Sequence, residues 1–398
     1  MDEPKWGRRR CPVCGHDGRE ILYHQKFLEP EGQQLLSGYL VCTCRVCGMA
    51  YADHIPSQDR FDAYYRERSK YEYADREGEP PAHDVARFMA VAEEITDLVP
   101  DRNRRILEVG ASTGGMLLTL RDRGYTNLLG VDPSPMCKEI AARRGIWVEP
   151  SLPVAVGAGS FGLILLLAVL EHIRDLGRFV HSLIPLLSSE GELLIQVPDA
   201  MGFHRCPDAP FQQFSAEHIN YFSATSLGNL LRPSGFGEVS RRQYQVSGGE
   251  GCTLPVLDMM FRSLGRGLIA KEFVYDTESG PAIRRYIGNS REMDAHLNRV
   301  LEDIGVSGRK IIVWGAGAHT QRLLAEGRLR GIDVVAYVDS NVHLQHSMLD
   351  GTLILSPREL HDRSEPILIS SRAYQEDIRR QILITLGLKN EVLTLYEL

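Results

Sequence analysis

The sequence predicts an α/β protein built on a doubly wound parallel sheet, with a small cysteine-bound module before it and a second, smaller sheet of the same kind after it. Three observations predict this. An apolar stretch (Ile106, Leu107, Val109) runs into the glycine-containing turn of LEVGASTGG, Leu107–Gly115, and a second (Leu128, Leu129, Val131) ends on Asp132. Two copies of CxxCG, at Cys11–Gly15 and Cys44–Gly48, hold four of the eight cysteines. The order strand–glycine turn–helix–strand–acid then restarts at Lys310 and ends on Asp339.

Five of the eight cysteines fall between Cys11 and Cys47. Paired thiolates from two such turns give the tetrahedral set that suits zinc, and the glycine after each pair permits a tight turn. The expected ligands are Cys11, Cys14, Cys44 and Cys47, with Cys42 as a substitute. Four thiolates leave no open position, so the metal is expected to be structural. The other reading, a disulfide pair, needs an oxidising compartment. The opening MDEPKWGRRR has no apolar secretory core, so the expected location is cytoplasmic. Cys137, Cys206 and Cys252 are scattered and read as ordinary thiols.

Next comes a polar, tyrosine-rich link, Tyr64–Glu79, containing YYRERSKYEY. It reads equally as a substrate lid or as a packing seam, and it closes a first unit of residues 1–75. His83–Val99 has helical apolar spacing (Val85, Phe88, Met89, Ala92, Ile95, Leu98, Val99) and should cover the first strand.

Residues 76–257 form the central unit. Met116–Arg123 and Cys137–Arg144 read as helices, and Ile146–Val148 as a third strand. Phe161–Ala168 is a fourth, apolar throughout as buried parallel strands are. Phe179–Leu187 reads as a helix and Glu192–Val197 as a fifth strand. The turn GASTGG lacks both the spaced glycines of a dinucleotide loop and the Lys-Ser/Thr of a nucleoside-triphosphate loop. A glycine turn that lets backbone approach a ligand, followed by an acid that can accept both ribose hydroxyls, points to S-adenosylmethionine. The candidate cofactor residues are Glu108 for the amino group and Gly110, Ala111, Ser112 and Gly114 in the turn. Asp132 and Pro133 follow for the ribose, Ser134 and Met136 for the adenine edge, with Ser151, Leu152 and Ala168 completing the pocket.

Residues 258–305 alternate charge with helical apolar spacing and read as bridging helices. Residues 306–398 repeat the sheet logic: strand Lys310–Trp314, turn Gly315–Gly317, helix His319–Glu326, strand Val334–Val338, and short strands Leu353–Leu355 and Ile367–Ser370. Thr320 stands where a third glycine would complete a dinucleotide turn. The unit therefore reads as a domain that docks substrate or scaffolds.

Composition bounds the rest. An apolar share of 43% and a charged share of 24% are ordinary for a globular chain. The longest apolar run, Phe161–Leu170, is too short for a membrane span, which needs roughly 18 residues. A net charge of −7 argues against a general nucleic-acid binder.

The layout resembles the C-methyltransferases that act on nucleotide-linked deoxysugars, over nearly the whole chain. The matching segments are CPVCG and CRVCG, LEVGASTGG with VDPS, AVLEHIRD, and FSAEHINYF at Phe214–Phe222 followed by SATSLGNLL and Gly235-Phe236. The resemblance implies a class I methyltransferase Rossmann-like sheet between an N-terminal zinc module and a C-terminal Rossmann-like domain. It also implies a nucleotide-linked sugar as substrate and Glu217-His218 in the active site, with His218 as base. Tyr71 or Tyr73 matches the family's tyrosine after the zinc module. Ser215 stands where the family has a second tyrosine, and WGAGAHTQRLL lacks the family's lysine-asparagine run.

The residues support the same chemistry directly. A sulfonium methyl is already electrophilic, so the enzyme must position an acceptor and take its proton. Histidine suits that task near neutral pH, which makes His218, oriented by Glu217, the leading base. Glu171-His172, at the end of the fourth strand, is the rival pair, with His172 the rival catalytic residue. A hydroxyl acceptor would use the same histidine, so O-methylation of a sugar or other small polar metabolite is the alternative. A zinc-ribbon nucleic-acid methylase ranks below both, because residues 1–50 hold seven Lys/Arg against six Asp/Glu. A non-catalytic carbohydrate-binding scaffold also ranks below, and the oligomeric state is left open.

Overall fold

The computed structural model describes residues 6–32, 35–68, 70–73, 76–153, 159–206, 208–249, 252–264 and 273–396. Its centre is a seven-stranded sheet, in spatial order Val148–Glu149, Leu128–Val131, Ile106–Val109, Phe161–Leu167, Leu187–Pro198, Cys252–Ser263 and Phe236–Gly249. The first five are parallel, and the last two form an antiparallel hairpin against Leu187–Pro198. Ile164, Leu165 and Leu166 are fully buried because helices cover both faces, which is why that strand reads as an unbroken apolar run. Strand order reverses between Ile106–Val109 and Phe161–Leu167. In an open α/β sheet the crevice outside the carboxyl ends at such a reversal is where ligands sit.

The bridging helices expected from Asp258 begin later. Asp258–Ser263 belongs to a strand, residues 265–272 lie outside the described residues, and one 28-residue helix occupies Ser279–Val306. The misreading has a physical cause: LDMMF is a short apolar run that suits either element. As a strand it buries Asp258 completely, and the carboxylate accepts from Gln196, Tyr244 and Arg242 at 2.8–3.0 Å. The helix expected over Phe179–Leu187 is instead Leu176–Leu183, then a turn at Ile184–Leu186, with Leu187 opening the next strand. The third strand lies at Val148–Glu149, beginning two residues later than expected and ending one later.

A four-stranded sheet carries the cysteine module: Arg19–Lys26, Gly38–Cys44, Ala50–Asp53 and, from far along the chain, Asn220–Tyr221. The pairs Ala50↔Tyr221 and Tyr51↔Asn220 tie the module to the segment that bears Glu217 and His218. Arg9 reinforces the tie, since its buried guanidinium donates to the carbonyls of Ile219, Ile173 and Arg174. The link after the module is helical over Gln58–Arg68; its residues 69, 74 and 75 lie outside the described residues.

The third sheet has the order Met348–Leu349, Thr352–Leu355, Asp333–Val338, Lys310–Trp314, Ile367–Ile369 and Val392–Thr394, parallel except for its first pair. Arg322, on helix Ala318–Ala325, is 1% exposed and pairs with Asp294 of the long helix at 2.7 Å, binding this domain to it. Among the described residues no helix is long and apolar enough to cross a membrane.

Candidate active site

The glycine turn after Ile106–Val109 is built around an acid. Gly110 and Ala111 donate to the carbonyl of Val131 at 2.8 and 3.0 Å, which folds the turn back over the second strand. Ser112 N–H then reaches Asp132 Oδ2 at 2.9 Å, and Ser134 N–H reaches Oδ1 at 3.0 Å. Gly110 holds φ +78°, and a Cβ there would come 2.7 Å from Val169 Cγ2. A left-handed turn with no room for a side chain is the condition under which glycine is required. Burial raises the Asp132 carboxyl, and the two backbone donors oppose that rise. Each oxygen keeps lone pairs for further donors, as two ribose hydroxyls would be.

Glu108 is 3% exposed, and burial holds it well above the ordinary carboxylate range; its Oε2 has no hydrogen-bond partner among the described residues. An orphaned buried acceptor beside a glycine turn fits a cationic amino group. Ser134 caps helix Pro135–Arg143 through Cys137 N–H at 3.2 Å and donates to Glu72 at 2.6 Å. Pro133 and Met136 are exposed at the rim, and Ser151 is exposed while Leu152 packs half-buried on the central core. Ala168 leaves the fourth strand with φ +56°, turning the chain into Leu170–His172.

The histidines and acids meet at that turn. Ligand-type atoms of Glu171, His172 and His218 lie within 4.8 Å of one another. His172 Nδ1 lies 3.0 Å from the carbonyl oxygen of Glu217, which can only accept, so Nδ1 carries a proton. Tyr65 OH also lies 2.9 Å from Nδ1, and Tyr64 donates to the Glu217 carboxylate at 3.1 Å. Burial pushes Glu171 up to about 8, with Arg87 acting against it. His218 N–H donates to Ser215 Oγ at 3.1 Å, the serine that stands where the resemblance leads one to expect a tyrosine.

Of the two tyrosine candidates, Tyr71 stands with its ring 6.4 Å from His172, while Tyr73 donates to Asp84 at 3.0 Å, with φ +47°. Sequence reasoning did not single out Tyr64 and Tyr65 individually. It also passed over Arg87, which bridges Asp84 and Gln196 at 2.9 and 3.1 Å beside the two buried acids. The signal for the tyrosine pair was the run YYRER itself, once read as helix.

The four cysteines converge as expected, with Sγ separations of 3.5 Å for Cys11 and Cys47 and 3.4 Å for Cys14 and Cys44. All four lie within 4.8 Å, close to the roughly 3.8 Å edge of a tetrahedral thiolate site with metal–sulfur bonds of about 2.3 Å. The donor set fits zinc. Cys42 stands apart, its thiol directed at the Leu40 carbonyl. Cys137 is buried and Cys206 half-buried; the side chain of Cys252 lies outside the described residues.

Residues 82–240 match the methyltransferase domain family, and residues 307–393 match the family described as C2185-like, N-terminal. The structure is similar to an S-adenosylmethionine-dependent methyltransferase from Methanosarcina mazei (15% identity, 43% of this chain and 98% of that one, TM-score 0.37). It is also similar to the 1,6-didemethyltoxoflavin-N1-methyltransferase of Burkholderia thailandensis (22% identity, 54% and 94%, TM-score 0.39). A third similar structure is the geranyl diphosphate C-methyltransferase of Streptomyces coelicolor A3(2) (12% identity, 52% and 97%, TM-score 0.39). The matched residues cover the five parallel strands, the glycine turn and the acid just described, and they form a class I methyltransferase domain. The protein is an enzyme that uses S-adenosylmethionine.

Proposed function

We propose that this enzyme methylates a carbon of a nucleotide-linked sugar, beside a keto group, with His218 as the base. The observation that carries the reading is the meeting of His218, His172 and Glu171 at the carboxyl end of Phe161–Leu167, one strand from the cofactor turn. The keto-sugar itself comes from the resemblance of the whole layout.

When bound, S-adenosylmethionine supplies the sulfonium methyl. The chain's own groups do the rest. His218 takes the proton from the carbon beside the ketone, and the C–H pair becomes the enolate. Glu171, neutral at pH 7 because burial raises it to about 8, donates a hydrogen bond to the enolate oxygen. Tyr64 and Tyr65 hold Glu217 and His172 in place.

The Cys11, Cys14, Cys44, Cys47 set holds a structural zinc ion that stiffens the module to which strand Asn220–Tyr221 is bonded. The third sheet docks the nucleotide half of the substrate. Its Asp339 accepts from Ala316 N–H and Asn341 N–H, both at 2.8 Å, in the same arrangement by which Asp132 holds Ser112 and Ser134.

The test is incubation with S-adenosylmethionine and a pool of nucleotide sugars, including 4-keto-6-deoxy forms, followed by product masses. Gain of a methyl group on a ketosugar is expected. Gain only on a sugar without a ketone would replace carbon by oxygen as the acceptor, and no gain on any member would overturn the nucleotide-sugar assignment.

A further inference from the structure

Glu72 belongs to neither the cofactor turn nor the histidine cluster, yet it is buried against the first. It ends the short turn Lys70–Glu72, is 7% exposed, and accepts from Ser134 Oγ at 2.6 Å, two residues beyond the ribose acid Asp132. The preceding carbonyl, of Tyr71, accepts from Ser112 Oγ at 2.5 Å and faces Cys137 Sγ at 3.8 Å. Tyr71 and Glu72 thus form a strap across three consecutive parts of the cofactor site: the glycine turn, the helix cap and the first turn of the helix.

The strap brings a second carboxylate beside Asp132. Its second oxygen, Oε2, needs a hydrogen-bond donor of its own in that shielded place. That donor comes from the C-terminal domain. His343 Nε2 lies 3.2 Å from Glu72 Oε2, with the two side chains 27% and 10% exposed. His343 is itself held on the end of the third sheet: its N–H donates to Asn341 Oδ1 at 3.0 Å, and Asn341 N–H donates to Asp339 Oδ1 at 2.8 Å. A continuous line of bonds therefore runs from the acid of one sheet, through Ser134, Glu72, His343 and Asn341, to the acid of the other.

We propose that His343 is a positioning residue for the cofactor site: it holds Glu72, keeps the Tyr71–Glu72 strap over the ribose-binding turn, and makes the C-terminal domain part of the S-adenosylmethionine pocket. The inference rests on the cofactor and not on the acceptor, so it stands or falls apart from the sugar assignment.

The test is calorimetric titration of the full-length protein with S-adenosylhomocysteine. His343→Ala is expected to weaken binding about 10-fold, as loss of a hydrogen bond to a buried carboxylate does. Glu72→Ala should reproduce that loss, and His343→Gln, which still donates to Glu72, should recover most of the affinity. Adding His343→Ala to Glu72→Ala should cost nothing further, since the histidine acts through the glutamate. His346→Ala, an exposed change in the same loop, should bind as wild type. Wild-type affinity in His343→Ala, an undiminished loss in the Glu72→Ala background, or equal weakening by His346→Ala would each overturn the proposal. Failure of the wild type to bind would overturn the cofactor assignment along with it.

Discussion

The imidazoles of His172 and His218 meet edge to face, their ring centroids 5.0 Å apart at an interplanar angle of 67°. The two rings come from separate elements. His172 ends the turn after the fourth strand, and His218 leads into the strand that pairs with the cysteine module. Their contact thus sets the end of the fourth strand against the segment that is bonded to the cysteine module.

His218→Ala should lower kcat by about 10²–10⁴, the usual contribution of a general base, while leaving S-adenosylhomocysteine affinity within about 2-fold. Steady-state rates and a titration on one preparation check both halves. A matching loss of cofactor affinity would assign His218 to binding.

Glu171 sets a pH limit. Its carboxyl, raised by burial to about 8, is neutral below that pH and loses its proton above it. Wild-type activity should therefore fall as pH rises through about 8, and Glu171→Gln, a permanently neutral donor, should lack that fall. Stability follows the same sign. The folded value lies above the unfolded one of about 4.3, so the contribution is complete below about 4.3 and is lost as pH rises through about 8. Melting temperature should drop between pH 6 and pH 9, and by less in Glu171→Gln.

Asp132→Ala removes the acceptor of two backbone donors and, on the proposed reading, of the ribose hydroxyls together. Binding of S-adenosylhomocysteine should weaken about 100-fold, in line with the loss of two charge-assisted hydrogen bonds at about 1.5 kcal/mol each. An unchanged dissociation constant would remove the acid from the site.

Metal analysis should find one zinc ion per chain, absent in Cys44→Ser. Because Ala50–Asp53 pairs with Asn220–Tyr221, loss of the ion should lower melting temperature and methyl transfer together. Full activity in a zinc-free preparation would contradict the structural role.

The parts of this fold that were legible are those written in local pattern. The order Ile106–Val109, Gly110 turn, Leu128–Val131, Asp132 puts strand, turn and acid within thirty residues, and CxxCG carries its own turn chemistry. The hairpin of Phe236–Gly249 and Cys252–Ser263 was not legible, because a buried Asp258 looks like a helix surface until Arg242 and Tyr244 are placed across from it. Tyr64 and Tyr65 escaped notice for a similar reason: their partners, Glu217 and His172, lie 153 and 107 residues away. Glu72 and His343 are 271 residues apart, and no spacing rule connects them.

The central claim, that His218 takes a proton from carbon, is tested most directly without methyl transfer. Enzyme, S-adenosylhomocysteine and a nucleotide-linked ketosugar are held in deuterated water, and deuterium in the sugar is followed by mass and proton spectra. Wash-in at the carbon beside the ketone, abolished in His218→Ala, is the predicted result. Wash-in at the wild-type rate in His218→Ala would contradict the account.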